Sequence, residues 1–182
     1  MGTRSPADLA THRPGARETA RGLRRVACAF LGALIVFGAS EALAEGADKP
    51  EPLSKFPSVE VTIDAHGTSQ SYRVWVADTE PRREQGLMYV KSLPPKRGML
   101  FLFGAPQVAS FWMQNTYIPL DLVFVRADGR IIRIVENATP MSTATISSMG
   151  LVTGVLEFAG GTAAKLGWKP GDRVHHPAFE NP

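Results

Sequence analysis

Apolar and polar residues alternate from Val59 onward. Val59, Val61 and Ile63 fall on one face, and Glu60, Thr62 and Asp64 on the other. A period of two predicts a half-buried strand. His66-Gly67 then supplies a turn, and Tyr72, Val74 and Val76 form the inward face of a second strand, with Arg73 and Trp75 pointing the other way. Apolar runs predict further strands over residues 99–103, 110–113, 120–125, 131–135 and 151–158. Arg126-Ala127-Asp128-Gly129 joins two of them as a tight hairpin, and a last strand begins near Arg173 after the Pro170-Gly171-Asp172 turn. Helical signals are few. Pro81 suits a first helical turn, with PRREQGLM running on to about Met88, and TAAKL at 162–166 stops at Gly167. Short strands with frequent turns predict a mainly β fold, a compact β-sandwich or partly closed barrel with one or two short helices.

The pattern before Val59 is different. Arg21, Arg24 and Arg25 precede an unbroken apolar run over residues 26–39, and Ala42-Leu43-Ala44 places small residues where a signal peptidase reads. The run is shorter than the ~20 residues that cross a bilayer as a helix. Residues 1–44 therefore read as an N-terminal extension with a secretory signal cleaved near Ala44, leaving a periplasmic or secreted protein. The alternative is an uncleaved membrane anchor. Residues 45–57, EGADKPEPLSKFP, are polar and proline-rich without a hydrophobic period, the pattern of a flexible tether. Residues 58–182 form the single β-rich domain.

The leader also carries the charge excess. Residues 1–44 hold six Arg against three acids, whereas residues 45–182 hold 14 basic and 14 acidic side chains. A neutral domain lacks the electrostatic footprint of nonspecific nucleic-acid binding, so no nucleic-acid partner is expected. The sole cysteine, Cys28, lies in the leader. The mature domain is thus cysteine-free, without a thiol nucleophile, a disulfide framework or a Cys-based zinc site. No cofactor and no metal site are expected.

Five motifs then occur in order: QGLM (85–88), GMLFLF (98–103), SFWMQNTYIPLDLVFV (110–125), VLEFAGG (155–161) and GDRV (171–174). With them the chain resembles the uncharacterised domain-of-unknown-function family numbered 192, over about residues 58–177. The resemblance implies a compact, sandwich-like β-fold, often exported, and supplies no established activity, substrate or catalytic residue. Residues 139–150, TPMSTATISSMG, depart from the family's pattern, which is richer there in proline and tyrosine.

Candidate chemistry centres on SFWMQNTYIPLD. In a strand from Ser110, Phe111 and Met113 share one face while Ser110, Trp112 and Gln114 share the other. Asn115 and Thr116 are turn-prone, and Asp121 is close enough in sequence to accept N–H bonds from residues 115–118. Two readings stand. Asp121 fixes a corner of the fold, or Trp112, Gln114, Asn115, Thr116 and Asp121 surround a small pocket.

Trp75 and Glu157 are secondary candidates. Trp75 stacks on a sugar or a partner side chain or is buried under a loop or the tether, and Glu157 is expected to cap or pair at a sheet end unless it joins Asp121 in acid–base work. His175 and His176, adjacent in a strand, face opposite sides and cannot chelate together. The apolar residues Leu87, Met88, Met99, Leu100, Phe101, Phe103, Phe111 and Met113 are expected in the core, with a soft binding surface as the alternative.

These features favour an exported cell-envelope domain acting as a non-catalytic accessory module. Its partner is an unidentified small molecule or envelope protein, with membrane contact only through an uncleaved leader. Two alternatives are an envelope hydrolase using the Asp121–Glu157 pair and a structural protein that pairs through a sheet edge.

Overall fold

The computed structural model describes residues 49–179. The leader, residues 1–44, and the first residues of the expected tether lie outside the described residues.

Strands β1 (Ser58–Ala65) and β2 (Thr68–Ala77) form an antiparallel hairpin in which Ala65 faces Thr68. His66 and Gly67 both take positive φ, 51° and 74°, which gives a two-residue connection the twist that adjoining strands need. The chain then crosses through helix α1 (Glu80–Gln85) and returns as β3 (Arg97–Phe111), parallel to β2. After β3 come β4 (Leu120–Val125), β5 (Ile131–Ala138) and β6 (Ile146–Ala159). Helix α2 (Thr162–Leu166) and β7 (Arg173–His175) complete the fold.

The strands make one sheet in the order β5-β4-β6-β3-β2-β1-β7. Its two edges approach each other. Ile131 donates its N–H to the Asp172 carbonyl at 2.9 Å, and Val174 donates to the Gly129 carbonyl at 2.8 Å. The architecture is a curled, seven-stranded half-barrel with two short helices, the barrel form of the sequence expectation.

Each face of the sheet carries its own apolar cluster. Leu100, Leu156 and Val123 lie in register across three strands on one face, packed with Ile63, Val74 and Phe158. Phe101, Val155 and Phe124 lie in register on the other, joined by Leu87 from the segment after α1 and by Phe56. Strand β4 is buried at all six positions because it is covered on both faces.

Three expectations are corrected. The predicted strands 99–103 and 110–113 are one long strand, β3, which ends at Phe111, so Trp112 and Met113 lie beyond it. Strand β6 starts at Ile146, so residues 146–150 of the segment that departs from the family pattern are strand. The tether is also docked from Glu51. Leu53–Lys55 form a 3-10 turn, Phe56 is buried, and the Arg82 guanidinium lies 5.2 Å from its ring centroid. One large aromatic side chain overrides the polar composition around it.

Helix α1 stops at Gln85, short of the expected Met88. Gly86 follows with φ 50° and ψ −134°, a conformation open chiefly to glycine. A Cβ there would lie 3.1 Å from Cζ of Phe101. Gly86→Ala is therefore expected to lower stability by about 1–3 kcal/mol in urea melts, while substitution at the exposed Gly104 has open space and should cost far less.

Candidate functional site

Gly104 and Pro106 break the pairing of β3 without ending it. Leu102 faces Gly154 and Gln107 faces Val152, so residues 103–106 stand opposite Thr153 alone. This is an enlarged bulge, placed where proline cannot donate to the ladder. It leaves the Thr153 Oγ1 buried without a hydrogen-bond partner among the described residues. Residues 104–107 line one cleft together with Glu80 and residues 83–85 of α1.

Helix α1 is pinned opposite that bulge. Arg83 donates to the Leu102 carbonyl at 3.1 Å and pairs with Glu80 at 2.8 Å. Gln85 and Glu51 exchange hydrogen bonds of 2.8 and 2.6 Å, and Arg82 pairs with Glu51 and Asp78. Between α1 and the outer half of β3 lies a cleft of about 1070 Å³. Phe101, Phe103, Phe111, Trp112 and Met88 give it an apolar, polarizable wall. Thr116, Thr145 and Glu157 supply polar groups.

Glu157 is the anomaly. It sits near the C-terminal end of β6, between β3 and β4, facing Met99 on one neighbour and Leu122 on the other, and is 4% exposed. Its carboxyl has no hydrogen-bond or ion-pair partner among the described residues, so it does not pair at a sheet end as the sequence predicted. Burial alone pushes it up from 4.5 to about 8. A carboxyl this isolated is protonated at neutral pH and is able both to donate and to accept a hydrogen bond.

Asp121 presents the opposite case. It is fully buried, and three backbone N–H groups donate to its carboxylate. Oδ1 accepts from Asn137 at 2.8 Å and Gly161 at 3.0 Å, and Oδ2 accepts from Ala163 at 2.7 Å. The donors are the end of β5 and the first turn of α2, and none comes from residues 115–118. Asp121 caps α2 from a distance, a task its own N-cap residue Gly161 has no side chain to perform.

Register separates the two acids. Asp121 faces Phe158 and Leu122 faces Glu157, so the carboxyls lie on opposite faces of the sheet. They cannot act as an acid–base pair on one substrate.

The other candidates divide. Trp112, 53% exposed, and buried Thr116 line the cleft with Glu157, whereas Gln114, Asn115 and Asp121 do not. Asn115 has φ 56° and accepts the Tyr89 N–H at 2.8 Å, joining the 113–116 turn to the segment after α1. Gln114 is exposed. Trp75 is half-buried with the Arg97 guanidinium 4.1 Å over its ring, so this outward face is already covered. His175 bonds Asp64 at 2.6 Å and His66 bonds the Gly167 carbonyl at 2.5 Å. Hydrogen bonds from Ser69, then from His175, hold Asp64 below its ordinary value. The described residues contain no group of three or more potential metal ligands. The sequence reading missed the bulge and the Arg83–Glu84 side of the cleft. Gly104-Ala105-Pro106 inside an apolar run was the available signal.

Two crystal structures resemble this one. A candidate transcription regulator from Sinorhizobium meliloti 1021 shares 42% identity at a TM-score of 0.66, covering 68% of this chain and 96% of its own. A protein of unknown function from Novosphingobium aromaticivorans DSM 12444 shares 39% identity at a TM-score of 0.67, covering 72% of this chain and 94% of its own. No curated protein matches the chain. The family model described as DUF192, an uncharacterized ACR, matches residues 61–176. That span runs from within β1 through β7, and the chain belongs to the DUF192 family.

Proposed function

We propose that the protein is an exported single-domain module that binds a small molecule in the cleft between α1 and the bulged half of β3. The observation that carries this reading is the cleft itself, of ligand size, with an aromatic wall and one unpartnered carboxyl in its floor. The carboxylate pair that hydrolysis would use is split across the sheet. The sheet-edge reading is weakened because β7 and the start of β5 meet each other. The regulator name of the Sinorhizobium neighbour does not alter this reading, since the mature chain carries no basic excess.

A fragment library followed by amide and indole NMR tests the binding role. Shifts should cluster at Met88, Phe103, Trp112 and Thr145, and Trp112→Ala should weaken the hits while leaving the melting temperature nearly unchanged. Hits scattered over the surface, or none, would overturn it.

Export rests on the basic–apolar–small pattern of residues 21–44. N-terminal sequencing of the exported protein is expected to begin at Glu45. Full-length protein held in the membrane fraction would instead identify the leader as an anchor.

A further inference from the structure

We propose that the ligand of this cleft is a small organic cation, its ammonium group seated against Glu157 and its carbon body against the Phe and Trp wall. The inference rests on the binding reading above and names the chemistry of that ligand.

Three independent features point the same way. The Glu157 carboxyl is nine-tenths buried, lacks a partner among the described residues, and has its remaining exposure in a cleft that it lines. The other charged groups lining the cleft are Glu80, Arg83 and Glu84. Arg83 is already held by Glu80 at 2.8 Å and by the Leu102 carbonyl at 3.1 Å, which leaves Glu84 uncompensated among the cleft's charges and Glu157 as a buried acid that an incoming cation can ionise. An anion meets repulsion there, and a cation meets attraction. The wall adds to this preference. Phe101 and Phe111 meet edge to face at 5.0 Å, with Trp112 and Met88 beyond them, and aromatic faces attract cations most strongly where water is excluded.

Protonation makes the preference measurable. A cation engages the ionised carboxylate, so binding displaces the proton that isolated Glu157 holds at neutral pH. Affinity then rises with pH until Glu157 ionises unaided, by about tenfold per unit below that point.

Three probes of one shape separate the outcomes: benzylammonium, benzyl alcohol and benzoate, titrated calorimetrically and by NMR at pH 6.5 and pH 8. Benzylammonium is expected to shift the cleft resonances and to bind at least about tenfold more tightly than the alcohol, with proton release at pH 6.5. Its affinity should rise about tenfold or more between the two pH values. Glu157→Gln should abolish both the preference and the pH dependence while the aromatic contacts still hold the alcohol. Equal or tighter binding of the alcohol or of benzoate in the cleft would overturn the cation assignment and leave the binding reading standing. Silence from all three probes also overturns it, and the binding reading falls with it only if the fragment library finds nothing in the cleft.

Discussion

Between pH 4.5 and pH 8 the wild-type protein is expected to lose about 3–5 kcal/mol of folding stability, and Glu157→Gln is expected to remove that loss. In the unfolded chain Glu157 titrates near 4.5, and in the folded protein near 8. Between those values the folded state binds the extra proton, so stability falls as pH rises and levels off above the folded value. The full gap corresponds to about 5 kcal/mol, and water in the open cleft reduces it. At pH 5 the glutamine variant should lie within about 1 kcal/mol of wild type, since both side chains are then neutral. At pH 8 it should be the more stable protein. Asp64 and Asp128 do not blur this window. Both are held below 3.8, Asp128 chiefly by Arg126, so their contributions disappear only as pH falls through the acid range. Urea melts at pH 5, 6.5 and 8 read the difference. A glutamine variant that loses stability in parallel with wild type would show that Glu157 ionises freely in the folded state.

Asp121→Ala is expected to destabilise the fold by about 3–5 kcal/mol. Three backbone donors lose their acceptor at once, and water has no ready route to the fully buried site. Asp121→Asn should be milder, about 2 kcal/mol. Its amide oxygen can still accept from Asn137 and Gly161, but its NH2 then confronts the Ala163 N–H. Hydrogen exchange gives a local check, because the amides of Gly161 and Ala163 should lose protection before those of β4. An Asn variant as stable as wild type would mean that the carboxylate does not anchor α2.

Strand positions were legible in the sequence because alternation is a local signal. Val59, Val61 and Ile63 already declare the inner face of β1, and the His66-Gly67 turn needs only two residues to be read. Register is not local. Whether Asp121 or Leu122 faces Glu157 depends on how β4 aligns with a strand that begins only at Ile146, and a shift of one residue exchanges their faces. Asp121 was therefore recognised as a buried anchor while its donors were misplaced. Glu157 was assigned a partner that the fold does not provide. The bulge hid for a related reason, since Gly104 and Pro106 look alike whether they end a strand or bow it. Trp112 and Thr116 line the cleft from a dense run of large side chains next to turn residues, a local feature that the sequence displays. Gln114 and Asn115 share that run but answer to the turn.

Closure of the sheet draws on both ends of the folded chain. Ile63 near the start pairs with Val174 near the end, and the ring of Phe179 fills the space above Gly154, where a Cβ would lie 2.7 Å from it. Assembly is therefore dominated by contacts distant in sequence, which puts folding in the range of about milliseconds to seconds and makes it wait until residues 173–175 are available to pair with β1. Until residues 171–175 arrive, β1 and the turn at Gly129 keep unpaired backbone groups, a template on which a second incomplete chain can add its own strand.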